Sequence, residues 1–177
     1  MANLLFCQGR RLSRLILKQE CKTLYNIGFD KKMKRFSLQT EENDLFTCPD
    51  DHSLVHCVSA DLKMSKGIAV LFKKKFGGVT ELKRQDPKVG NFVLLKQGPR
   101  FVYYLVTKQR YFEKPTMKTL EQSLIALRDH SVENKITHVS MPRIGCGLDG
   151  LDWKRVKETI EKVFAATNIQ ITVYIPK

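Results

Sequence analysis

The chain has 177 residues, enough for one domain with a sizeable core, and its 42% hydrophobic and 28% charged residues are the balance of a soluble globular protein rather than a disordered or fibrous one. No run approaches the roughly 18 apolar residues that a membrane span needs, and none of the five cysteines forms a CxxC pair. Net charge is +13, but the first 40 residues hold nine Lys and Arg against two acids, so the rest of the chain is only mildly basic; affinity for nucleic acid or another polyanion is allowed, not demanded.

Residues 1–40 read as a basic N-terminal extension. "LLFCQGRRLSRLILKQ" is Arg-rich and acid-poor, with Leu12, Leu15 and Leu17 among the basic residues. Such a stretch is expected to be an organelle (mitochondrial) transit segment, or else a tail or an extra helix outside the domain. The domain itself is expected over 41–177. "RFSLQTEEN" lacks apolar alternation and gives no clear strand. His52 and His56 lie near Cys48 and Cys57, but the spacing fits no zinc template. No metal and no cofactor are expected, and the thiols should be free in a reducing compartment.

"SLVHCVS" (53–59) is a short apolar run and predicts a buried strand. "KGIAVLFKKKFGG" puts Ile68, Leu71, Phe72 and Phe76 at helical spacing, with Gly77-Gly78 as the stop. "NFVLLKQGPRFVYYLVTK" predicts a hairpin: Phe92–Lys96, a Gly98-Pro99 turn, then Phe101–Thr107. Pro115 and Thr116 open a helix whose stripe is Leu120, Leu124 and Leu127. A short buried strand at 138–141 follows. Asp152 can cap a helix with Val156, Ile160, Val163 and Phe164 inward. In "IQITVYI", Ile169, Ile171, Val173 and Ile175 should face one way. Strands alternating with helices predict a layered α/β fold, and the hairpin makes its sheet mixed.

Between strand 138–141 and the helix at Asp152 lies "SMPRIGCGLDGLDW", with Pro142, Gly145, Gly147 and Gly150 around one cysteine and one aspartate. Glycine permits positive φ and close approach of backbone to a neighbour or a ligand. Its position beyond the carboxyl end of a strand and before a helix N-terminus suits phosphate, although it matches neither GxGxxG nor GxxxxGK[ST].

"NDLFTCP", "LVHCVSADLKMSKGIAVLFKKKFGGV", "FVYYLVTKQR" and "SMPRIGCGLDGLDW", in this order and spacing, resemble the macrodomain of the terminal ADP-ribose protein glycohydrolase type from about residue 43 to the end. The resemblance implies a mixed β-sheet sandwiched between helices, a three-layer α/β/α fold, with an ADP-ribose cleft at one edge. It implies hydrolysis of mono-ADP-ribose from acidic side chains, deacylation of O-acyl-ADP-ribose, and action on ADP-ribosylated nucleic acid ends. The expected partners are ADP-ribose, mono-ADP-ribosylated proteins and ADP-ribosylated nucleic acid, with no membrane. A monomer in the nucleus or cytoplasm, acting in the DNA damage response, is the expected setting.

By the same resemblance, Lys108 matches the lysine that attacks the anomeric carbon of the distal ribose, and Asp149 the aspartate that resolves the adduct. An amine attacks only when neutral, and an unperturbed lysine is about one part in a thousand neutral near pH 7.4. Desolvation helps; an ionised carboxylate alone shifts the amine the wrong way but can accept its proton. The alternative is a salt bridge across the cleft mouth. Asp44 matches the acid that accepts from the adenine amino group, with the backbone of Leu45 beside it. Ser59 matches a hydroxyl near the ribose. Arg143, Ile144, Gly145, Cys146, Gly147 and Leu148 would wrap the diphosphate, and Pro176 gives an apolar contact. Cys146 is expected to be a small loop residue, not a nucleophile. Two departures stand out: Asn43 replaces the family's glycine before the binding aspartate, and Ser65-Lys66-Gly67 replaces Gly-Ala-Gly.

Three other readings stay open. One is a non-catalytic ADP-ribose reader, which needs neither Lys108 nor Asp149. Another is a phosphatase acting on phosphorylated ADP-ribose. The third is a nucleic-acid binder, for which no strand platform of interleaved aromatic and basic residues is evident.

Overall fold

A computed structural model describes residues 35–177. The transit, tail or extra-helix reading of the basic extension therefore lies, up to residue 34, outside the described residues. The six strands are β1 (Ser37–Glu42), β2 (Ser53–Ser59), β3 (Asn91–Gln97), β4 (Arg100–Lys108), β5 (His138–Pro142) and β6 (Gln170–Ile175). They form one sheet in the order β1-β6-β5-β2-β4-β3. Every neighbouring pair is parallel except β3 and β4, the hairpin predicted across Gly98-Pro99. Among the described residues four α-helices cover it: α1 (Ile68–Phe76), α2 (Val79–Arg84), α3 (Met117–Glu133) and α4 (Trp153–Phe164). Among the described residues no helix is long and apolar enough to cross a membrane.

Strand alternation sorts the core into two layers. On one face Val55, Tyr103, Leu105, Val139, Met141, Ile171 and Val173 meet the predicted stripes of α3 and α4. On the other, Leu54, Val58, Val102, Tyr104, Val106 and Tyr174 meet Phe72 of α1 and Leu82 of α2. Helices on both sides of a mixed sheet make the expected three layers. Both faces of β6 are buried: Thr172 and Tyr174 on one side, Ile171 and Val173 on the other. Ile175 is half-buried at the sheet's edge. Val156, Ile160, Val163 and Phe164 anchor α4, each worth roughly 1.5–3 kcal/mol as an upper bound. Its N-cap, Asp152, accepts from the Arg155 N–H at 3.0 Å.

Two features differ from the sequence reading, and a third concerns the His and Cys residues of β2. The domain begins before residue 41, because β1 starts at Ser37 and pairs with β6 from Ser37↔Gln170 onward. As an edge strand with most side chains exposed, β1 carries no alternation to find. Second, Gly77-Gly78 ends α1 and also starts α2. Gly78 sits at φ +63°, and a Cβ there would lie 2.7 Å from Leu95. Third, His56 and Cys57 point to opposite faces of β2. His56 stacks on Phe72 with ring centroids 3.9 Å apart, and burial lowers its pKa to about 3. It is a neutral ring packed as an aromatic, and Cys57 joins the opposite core.

Candidate active site

β6, β5, β2 and β4 run parallel and end at one edge, where open α/β sheets take their ligands. A cleft of about 980 Å³ runs along that edge, from Tyr174, Ile175 and Pro176 at the end of β6 to Lys108 at the end of β4. Three strand spacings of ~4.8 Å separate those ends, roughly 14 Å. That length suits a ligand with two sugars joined by a diphosphate.

The middle of the cleft is built from backbone. After β5, Arg143–Asp149 line it. Within that loop Cys146 N–H donates to Arg143 O, Gly150 N–H to Gly147 O, and Leu151 N–H to Gly145 O at 2.8 Å. Among the described residues the N–H groups of Gly147, Leu148 and Asp149 make no hydrogen bond. Three successive free donors on a cleft wall suit an anion. Gly145 has a structural reason: φ is +71°, and a Cβ would lie 2.8 Å from Leu151 Cδ1. Gly147 has none, since a Cβ there would meet nothing within 4 Å. Ile144 turns its side chain into the core, so it offers only backbone. Facing this loop is the N-terminus of α1, with Gly67, Ile68 and Ala69 on the cleft. Its unpaired N–H groups and helix dipole favour negative charge. Gly67 holds φ +59°, and its Cα side faces Leu148.

Lys108 and Asp149 close the far end. Nζ donates to Oδ1 at 2.5 Å, and the side chains are only 13% and 17% exposed. A register shift delivers the lysine: Val58 pairs with Val106, but Ser59 pairs with Lys108, which leaves Thr107 as the extra residue. Such a bulge re-aims a side chain at the end of a strand. Thr119 Oγ1 from α3 satisfies the carbonyl of Thr107 at 2.7 Å. Two thiols lie beside the pair. Burial, then the charges of Asp149 and Cys146, push Cys57 up to about 12. Burial and Asp152 also raise Cys146, against Arg143. Both are protonated at neutral pH, and neither is poised as a nucleophile.

The structure brings Lys108, Asp149, Ser59, Arg143, Ile144, Gly145, Cys146, Gly147, Leu148 and Pro176 to one cleft. Ser59 Oγ is engaged, donating to Asp61 Oδ1 at 2.6 Å. Arg143 lays its guanidinium 5.6 Å over the Trp153 ring. Asp44 and Leu45 do not line the cleft. Asp44 caps the turn Leu45–Thr47, accepting the Phe46 N–H, and Leu45 is buried in the core that holds Phe72 and Tyr174. Asp44 follows β1, whose last pair is Glu42↔Ile175, so it leaves the sheet next to the Pro176 end. Sequence reasoning did not find the α1 N-terminus as an anion site, nor Tyr111, Phe112 and Lys114 along the distal wall. Gly67 before an apolar run, and two adjacent aromatics in a polar loop, were the available signals.

The sequence profile of the Macro domain family matches residues 55–160. The chain is a macrodomain. This macrodomain is 56% identical to "ADP-ribose glycohydrolase OARD1" of Bos taurus and 55% identical to that of Homo sapiens, each over 133 residues that cover 75% of this chain and 88% of the relative. Among solved structures, the macrodomain of Thermus aquaticus DarG superposes with a TM-score of 0.72 at 25% identity, covering 80% of this chain and 99% of that one.

Proposed function

We propose that this macrodomain hydrolyses ADP-ribosyl esters, releasing mono-ADP-ribose from acidic side chains and from O-acyl-ADP-ribose. One observation carries the reading: a lysine and an aspartate in contact at 2.5 Å, largely withdrawn from solvent, at the end of a cleft lined by free backbone N–H groups and a helix N-terminus. An exposed ion pair contributes about 0–1 kcal/mol, and a buried one is often no better than apolar packing. Stability is thus a poor reason for the pair, and a reader of ADP-ribose has no use for it. The relatives named as ADP-ribose glycohydrolases point the same way.

With adenosine toward Pro176 and the diphosphate between Gly147–Asp149 and the α1 N-terminus, the distal ribose reaches Lys108. Asp149 Oδ1 takes a proton from Nζ. The free amine attacks C1 of the ribose, the C1–O bond breaks, and the carboxylate leaves with the bonding pair. Asp149 then sheds its proton to solvent. It next takes one from a water whose oxygen bonds to C1 as the C1–N bond breaks, and returns that proton to the amine. Water is consumed, and free ADP-ribose, the carboxylate and one proton are the products. Incubation with a glutamate-linked mono-ADP-ribosylated peptide tests the reading: free ADP-ribose should appear, whereas tight binding without release would make the protein a reader.

A further inference from the structure

Past Lys108 the chain makes a pinned turn over 109–114, and carboxylates take its N–H groups in sequence. Glu113 Oε2 accepts those of Gln109 and Arg110, each at 3.1 Å. Asp61, just past the end of β2, accepts that of Tyr111 on Oδ2 at 3.0 Å, while its Oδ1 accepts the Ser59 hydroxyl and the Lys63 N–H. Side chains brace the same turn. Lys63 Nζ covers the Tyr111 ring at 3.8 Å, and the Phe112 ring meets Tyr111 edge to face at 5.4 Å and 84°. Pro115, the next residue, is buried. Lys114 therefore leaves a backbone fixed on both sides, and its Nζ donates to the carbonyl of Leu148.

That carbonyl belongs to the planar peptide unit that also carries the Asp149 N–H, so holding it sets where Asp149 stands. Among the described residues the bond from Lys114 is the one hydrogen bond made by the backbone of Leu148 and Asp149. The neighbouring bonds, Gly150 N–H to Gly147 O and Leu151 N–H to Gly145 O, close the base of the loop and leave its tip to Lys114. The Leu148 side chain is 64% exposed and does not join the core. An exposed lysine loses rotamer freedom when it is held, so the contact adds little to the stability of the fold.

Lys108 and Asp149 are thus joined twice: directly by their ion pair at 2.5 Å, and through the turn by Lys114. The direct link cannot last through the proposed reaction. Once Asp149 has taken the proton and the amine has bonded to C1, the ion pair is gone. The carboxylate must still stand beside C1 to take a proton from water. The second link uses none of the reacting atoms and survives. We infer that Lys114 is a positioning residue for Asp149, holding the aspartate through the Leu148 carbonyl while the adduct on Lys108 is resolved. The inference rests on the hydrolase reading and its two-step course.

Steady-state kinetics on the glutamate-linked mono-ADP-ribosylated peptide test it. In Lys114→Met, kcat should fall roughly ten- to a hundredfold, the scale of a misplaced catalytic group. KM should fall with it and leave kcat/KM within a fewfold, because kcat/KM reports only the steps up to departure of the carboxylate. Lys114→Arg, which keeps a donor, should retain kcat. Intact-protein mass spectrometry of Lys114→Met, stopped by acid during turnover, should show one added ADP-ribose. An unchanged kcat, a kcat/KM that falls as far as kcat, or a slowed variant without adduct would overturn the assignment. If the wild type does not cleave the peptide, the hydrolase reading fails separately. Nitrogen-15 relaxation then reads the hold alone. In Lys114→Met the order parameters of the Leu148 and Asp149 amides should fall from about 0.85 toward about 0.6; unchanged values would overturn it.

Discussion

On one wall of the cleft, the loop after β5 offers main chain: the N–H groups of Gly147, Leu148 and Asp149. On the other, the end of β4 and the segments after β2 and β4 offer side chains: Lys108, Lys66, Tyr111 and Phe112. The backbone wall suits a group that every substrate shares, the diphosphate, because backbone donors carry charge complementarity but little discrimination. On the proposed mechanism, the side-chain wall stands at the bond to be broken and at whatever lies beyond it. Asp149 belongs to the first wall by chain position and to the second by its contact with Lys108. One wall should therefore govern affinity for ADP-ribose, and the other turnover and acceptor choice.

The largest effect expected from this contrast is in Lys108→Ala. Hydrolysis of the ester-linked peptide should fall by about 10³ or more, as expected for loss of a nucleophile. The dissociation constant for ADP-ribose, read by calorimetry, should stay within a fewfold. Equal losses of binding and turnover would erase the distinction between the walls.

Gly145→Ala comes next. An L side chain at φ +71° costs roughly 1–2 kcal/mol, and its Cβ must displace Leu151. Chemical denaturation should show that loss of stability, and ADP-ribose binding should weaken with it. Asp61→Ala should cost about 1–2 kcal/mol by leaving the N–H groups of Lys63 and Tyr111 without their acceptor. It should also change acid sensitivity. Partial burial raises the Asp61 carboxyl, but the Ser59 hydroxyl, the N–H groups of Tyr111 and Lys63 and the charge of Arg110 outweigh it, so its pKa lies below the ordinary value of 3.8. The folded state then binds this proton less readily than the unfolded chain. Its stabilisation is present above the ordinary value and lost as pH falls through the folded one. Denaturation curves against pH should show a shallower acid loss in the variant; identical slopes would remove Asp61 from the account. The smallest stability effect belongs to Gly147→Ala, within about 0.5 kcal/mol. Its Cβ enters open cleft, so ADP-ribose affinity should still drop. A variant that binds as well as wild type would show that ligand does not approach this wall closely.

The walls were unequally legible in the sequence. Where recognition uses backbone, the chain shows glycines at a strand end, and the loop 143–150 was readable as a site. The sequence could not divide those glycines into Gly145, needed for its own conformation and for Leu151, and Gly147, which has open space. The core faces of α3 and α4 were legible because a helix buried on one side must repeat its apolar residues. The edge strand β1 was not, since pairing along one side imposes no pattern on exposed side chains. The bulge at Thr107 was equally hidden: a one-residue register shift is a relation between two strands and leaves no mark in either. Resemblance, not periodicity, singled out Lys108. The brace of Lys63, Tyr111 and Phe112 joins residues nearly fifty positions apart, through an aspartate that reads alone as a turn residue.

The account stands or falls on which atom forms a bond to the ribose. Asp149→Ala keeps the amine of Lys108, which can lose its proton slowly to solvent, but removes the group that activates water against the adduct. After incubation of this variant with the glutamate-linked mono-ADP-ribosylated peptide, intact-protein mass spectrometry should show one added ADP-ribose. Peptide mapping should place it on Lys108, and the variant that also carries Lys108→Ala should show none. Cleavage of the peptide without any adduct, or an adduct that persists when Lys108 is replaced, would contradict it.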